Sequence, residues 1–74
     1  MNINNDSLVK FGERIMSLRS NLNLSQIELA KLCGMNLHSL RLLEKGRANI
    51  SFLKIIVLSK ALNLSPDELV TDIY

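Results

Sequence analysis

The sequence holds one cysteine, one histidine, one proline, three glycines and no tryptophan. One cysteine closes no internal disulfide, and one cysteine with one histidine is too small a set for a structural zinc site. No metal or other cofactor is therefore expected. No apolar run approaches the roughly 20 residues of a membrane span. The polar opening MNINNDS lacks both the basic start and the apolar stretch of a secretory signal, so the reducing cytoplasm is the expected compartment. Aromatic residues make up only 4%, so the core must be aliphatic. Aliphatic residues are abundant: 47% of the 74 residues are hydrophobic, with fifteen Leu and seven Ile, which excludes intrinsic disorder. Seventy-four residues make one small domain with a marginal core. With disulfide and metal excluded, self-association is the remaining way to reinforce it.

The net charge of +2 is too small to point to a polyanion by itself, but it is unevenly spread. Residues 8–47 carry Lys10, Arg14, Arg19, Lys31, Arg41, Lys45 and Arg47 against Glu13, Glu28 and Glu44, an excess of four positive charges. From residue 48 onward, Lys54 and Lys60 face Asp67, Glu68 and Asp72, a deficit of one. This fits either an ordinary solvated surface or a basic face in the first two thirds of the chain.

Apolar spacing is helical throughout. Leu8, Phe11, Ile15, Leu18 and Leu22 form one stripe and predict a first helix from Ser7 to Leu22, stopped at Asn23 after a flexible N-terminus over residues 1–6. Ser25-Gln-Ile-Glu28 fits a capping box and opens a second helix that Gly34 stops. Asn36 caps a third, Leu37 to Lys45, closed by Gly46. Ser51 or Asn49 caps a fourth, which runs to Leu62 and closes at Asn63. Ser65-Pro-Asp-Glu68 caps a short fifth helix ending near Val70. The three-residue link Gly34-Met35-Asn36 forces an abrupt change of direction, as in a helix-turn-helix over about 26–45. The expected architecture is all-α: one five-helix domain over 7–74.

Within that unit, Ala30 is small enough for a tight helix crossing. Gly34 tolerates the turn, and Leu40 and Leu43 face the preceding helix. The segments FGERIMSLR, LSQIELAKLCG, LEKGRANIS and KALNLSPDEL together resemble the helix-turn-helix DNA-binding domains of phage repressors and Cro, the XRE family of bacterial regulators. The resemblance runs from about Phe11 to Val70 without an insertion. It implies that helix three lies in a major groove. Leu37, His38 and Leu42 would then fall at base-reading positions, Gln26 and the neighbourhood of Lys45, Arg47 and Asn49 would meet phosphates, and Asn36 would lie on the same DNA-binding surface. Leucine cannot hydrogen-bond a base and can only pack, for instance on a thymine methyl, which leaves Arg41 as the candidate for a guanine. The resemblance also implies a structural ion pair between Arg19 and Glu44. The Arg47-Ala-Asn-Ile-Ser51 segment and the chain length are similar to those of restriction–modification controller proteins.

Helix four is apolar nearly all round. Phe52, Ile55, Leu58 and Leu62 suit the core, while Leu53, Ile56 and Val57, with the stem of Lys60, occupy a second arc that must also be covered. A homodimer interface joined by Val70, Ile73 and Tyr74 would cover it; so would a C-terminal tail folded back over it. Cys33 and His38 are expected on different faces, and no phosphate-cradling glycine loop is present, so no catalytic residues are expected. The expectation is a sequence-specific double-stranded DNA-binding transcriptional regulator, repressor or controller, acting as a homodimer on a palindromic operator, with RNA polymerase as a further contact if it activates. The alternatives are an antitoxin whose spare apolar face holds a toxin, and a protein-interaction module on the same fold.

Overall fold

The computed structural model describes residues 5–73. Five helices follow in order: α1 (Asn5–Asn21), α2 (Gln26–Cys33), α3 (Leu37–Glu44), α4 (Phe52–Ala61) and α5 (Pro66–Val70). No strand occurs among the described residues. α1 begins two residues earlier than the apolar stripe suggested, so Asn5 and Asp6 are helical; residues 1–4 of the expected flexible segment lie outside the described residues.

The helix ends follow from local chemistry. Ser25, Asn36, Ser51 and Ser65 are the N-caps of α2 to α5, each accepting a backbone N–H three residues on, and Ser51 rather than Asn49 caps α4. α1 to α4 share one mode of termination. Asn23, Gly34, Gly46 and Asn63 stand at positive φ. Behind them the N–H groups of Leu24, Met35, Arg47 and Leu64 reach back to the carbonyls of Arg19, Ala30, Leu42 and Ser59 at 2.8–3.0 Å.

The core is aliphatic apart from Phe11: Ile15, Leu29, Ala30, Leu40, Leu43, Ile55, Leu58, Leu62, Leu69 and Ile73 are all buried. α3 is the central element, packed on α1 from one side and on α2 from the other, while α4 bridges α2 and α5. Gly12 makes the α1–α3 approach possible, because a Cβ there would stand 2.5 Å from the Leu43 carbonyl oxygen and 2.6 Å from that of Glu44. Buried Ser59 satisfies its hydroxyl on the Ile56 carbonyl of its own helix, 2.8 Å away.

Three expected placements are corrected. Leu22 falls past the last helical residue of α1 and is exposed; Leu24, beyond the left-handed Asn23, packs against the core instead. Phe52 is 72% exposed. It is the first residue of α4, and helical side chains lean toward the N-terminus, so it points past the end of the helix. Ile73, expected on a surface against a second copy, is buried in the core. The Arg14 guanidinium helps hold it there, donating to the Leu69 carbonyl at 3.1 Å and to the Thr71 carbonyl.

Candidate nucleic-acid interface

The 3.6-residue period of α3 decides which side chains are available. Leu40, Leu43 and Glu44 turn inward and are buried. His38, Arg41 and Lys45 share the opposite arc and are exposed. Leu37 and Leu42 sit at the two rims of that arc, each half-buried, so each offers an apolar edge rather than a whole side chain. Asn36 is exposed at the entry to α3. Its Oδ1 accepts the Ser39 N–H at 2.7 Å, which commits its oxygen to the helix and leaves its amide N–H groups as the outward end.

Beyond α3 the chain turns at Gly46, and the loop to Ser51 exposes Arg47 and Asn49. Ala48 and Ile50 pack against the core and anchor that loop. Between residues 36 and 49 there are three cations, Arg41, Lys45 and Arg47, and one acid, Glu44. All three cations are exposed, whereas the Glu44 side chain is 1% exposed and paired. Every exposed charge of this segment is therefore positive, a stronger bias than the chain's net charge indicates.

The buried Glu44 carboxylate lies at the centre of a part-buried network. Arg19 clamps it bidentately, Nε to Oε2 at 2.7 Å and Nη2 to Oε1 at 3.1 Å, and Arg19 Nη1 donates to the Leu24 carbonyl at 2.9 Å. Gln26 is a third member: its Nε2 donates to Glu44 Oε1 at 3.0 Å. Periodicity did not reveal this contact, because it depends on how α2 crosses α3. The sequence likewise marks Arg14 only as part of the basic excess. Gly12 signals a different contact, the close approach of α1 to the end of α3, since a glycine inside a helical pattern marks such an approach.

The remaining expected residues lie on α4 and the C-terminal turn. Leu53 is 72% exposed and Val57 38% exposed; Lys60 is exposed, Ile56 and Val70 are half-buried, and Tyr74 lies outside the described residues. Leu53 and Val57, with Cys33, Met35, Lys54 and Leu58, line a cleft of about 110 Å³ between α4 and the turn after α2. Burial raises the Cys33 thiol above its ordinary value, which disfavours the reactive thiolate. Among the described residues, no group of three His, Cys, Asp or Glu is placed to hold a metal ion, and no helix is long and apolar enough to cross a membrane.

Comparison with known proteins gives this surface its context. Residues 15–69 match the helix-turn-helix family profile. The chain is 36% identical over 59 residues to the control protein C.SmaI of Serratia marcescens, an alignment covering 80% of this chain and 70% of that protein. The crystal structure of the restriction-modification controller protein C.AhdI from Aeromonas hydrophila superposes with a TM-score of 0.80 at 42% identity, covering 84% of this chain and 94% of the other. The P22 c2 repressor in complex with a synthetic operator superposes with a TM-score of 0.75 at 33% identity, covering 82% and 92%. A turn of three residues between two buried-face helices, an outer surface whose exposed charges are all positive and these relatives agree: the chain belongs to the helix-turn-helix family, among the DNA-binding transcriptional regulators of Cro/cI type.

Proposed function

We propose that the protein regulates transcription by occupying a palindromic operator as a homodimer, with one α3 in each of two successive major grooves. The observation that carries this reading is the outer surface of residues 36–49, where every exposed charge is positive and the one acid is buried under Arg19. On such a surface Arg41, central on the α3 arc, has the reach and fork geometry for a guanine, and His38 beside it can donate or accept. The apolar rims of Leu37 and Leu42 suit thymine methyls. Lys45, Arg47, Asn49, the amide of Asn36 and Gln26 surround that centre where phosphates would pass.

Two half-sites on one face of B-DNA lie about 34 Å apart. The domain measures 30 × 23 × 21 Å and has one recognition helix, so a single copy fills one groove and a palindrome calls for two. The exposed Leu53–Val57 arc of α4, flanked by Ile56, Lys60 and Val70, is the face assigned to the second copy. Bound over a promoter, the dimer represses by exclusion; bound beside one, it activates through RNA polymerase. That its relatives include a control protein and a restriction-modification controller protein favours a role of the same kind.

Selection of bound duplexes from a random pool tests this reading. The expected product is a two-fold symmetric site. With about three to four phosphates met per subunit, log K against log salt should fall with a slope near −6. Unselective binding with a slope near zero would overturn the groove-docking model, and recovery of the native protein with a tightly held small partner on α4 would replace the homodimer with an antitoxin complex.

A further inference from the structure

We infer that Glu44 is a positioning residue for DNA binding: it fixes the Gln26 side chain at the start of α2 before any duplex arrives. This rests on the reading of Gln26 as a phosphate contact given above. The Glu44 side chain is 1% exposed, yet one of its oxygens serves two helices, since Oε1 accepts from Arg19 on α1 and from Gln26 on α2. A carboxylate only accepts, so the Gln26 amide must turn its nitrogen inward, spending one N–H on Glu44 and directing the other away from it. Gln26 is the first residue of α2, where the backbone N–H groups are free of helical partners and the helix dipole favours an anion. A side chain of several rotatable bonds is thus ordered in advance at a position that suits a phosphate, and that ordering no longer has to accompany binding.

The ion pair completes the arrangement. An unpaired carboxylate so near the contact would repel a phosphate, but Arg19 neutralises it with two hydrogen bonds. Arg19 also holds the Leu24 carbonyl, one residue before the Ser25 cap, so the loop leading into α2 is fixed from the same point. The network is tied to α3 as well, because Glu44 is its last residue. One buried carboxylate therefore sets the distance between the base-reading helix and a phosphate-contacting side chain.

A thermodynamic cycle on the full-length chain tests the inference. Replacing the ion pair by an apolar pair, Arg19→Met with Glu44→Met, removes the partner of Gln26 without leaving a lone buried charge, an exchange that small domains tolerate. Gln26→Met is then introduced into the natural and the apolar-pair proteins, and affinity is measured for a selected site and a scrambled duplex. Gln26→Met is expected to weaken both duplexes about tenfold in the natural protein and less than twofold in the apolar-pair protein. Equal factors in the two backgrounds would overturn the inference while leaving the DNA-binding reading intact; a natural protein that binds no duplex would overturn both. A second measurement does not depend on the variants folding. Gln26 is the only glutamine of the chain, so its side-chain amide is a single identifiable pair in the NMR spectrum of the free protein. Restricted motion and slowed exchange of one amide proton are expected, and an amide as mobile as a solvated one would overturn the positioning role.

Discussion

Arg41 and Arg47 are both exposed and stand six positions apart, yet their settings differ. Arg41 projects from the middle of the α3 arc, and Arg47 from the loop that follows it. Arg41→Ala should weaken the preferred site by roughly 1–3 kcal/mol and relax the preference at one base pair. Arg47→Ala should weaken every duplex alike and flatten the salt slope by about one. Affinities for the selected site and its single-base variants separate the two outcomes, and an Arg41→Ala protein with unchanged base preference would reassign Arg41 to a phosphate. At this scale the sequence was legible wherever a residue's partner lay on its own helix or at a recurrent position, as with Ser25 and Glu28 or Arg19 and Glu44. It was not legible where the partner depended on how two helices cross. Gln26 reaching Glu44 and Arg14 reaching the carbonyls of Leu69 and Thr71 belong to that second group, because neither donor carries a periodic or capping signature toward its acceptor.

The helices themselves were readable because their ends are chemically marked. Each helix from α1 to α4 closes at an Asn or Gly that takes positive φ, and each from α2 to α5 opens at a Ser or Asn. The failures at Leu22 and Phe52 share a cause: an apolar wheel describes the interior of a helix, and both residues lie at its limits, where the chain turns away or the side chain overhangs the end. The two capping boxes carry a pH signature. Hydrogen bonds from the Ser25 backbone and side chain hold the Glu28 carboxyl below the usual glutamate range, and those of Ser65 do the same for Glu68. A carboxyl whose value is lower in the folded chain than in the unfolded one stabilises the fold in full above the unfolded value, and that support is lost as pH falls through the folded one. NMR titration should therefore give Glu28 and Glu68 midpoints below that of a solvated glutamate, with α2 and α5 fraying at their N-termini as the boxes open. Midpoints at or above the ordinary value would mean that the boxes do not persist in solution.

For the whole molecule, the open question in the sequence was what covers the second arc of α4. The chain does fold back, since Ile73 joins the core, but Leu53 and Val57 remain uncovered, so the C-terminal turn closes the interior without closing that face. Val57→Glu is expected to preserve helix content, convert a dimer to a monomer, and weaken binding to a two-half-site operator far more than to one half-site, because a two-fold contact brings each new carboxylate close to its mate or into apolar surface. Sedimentation of both proteins at tens of micromolar is the check, and a natural protein that sediments as a monomer would remove this face from the interface. The burial of Ile73 under the hold of Arg14 has another consequence. The proposed recognition helix α3 is held by α1, and the single hydrophobic core that its Leu40 and Leu43 join also takes in Ile73, almost thirty positions further on. The helix-turn-helix is therefore not portable: residues 26–45 grafted alone onto another protein would carry the proposed contact side chains without the scaffold that aims them, and a chain cut before Ile73 would leave the interior open to water.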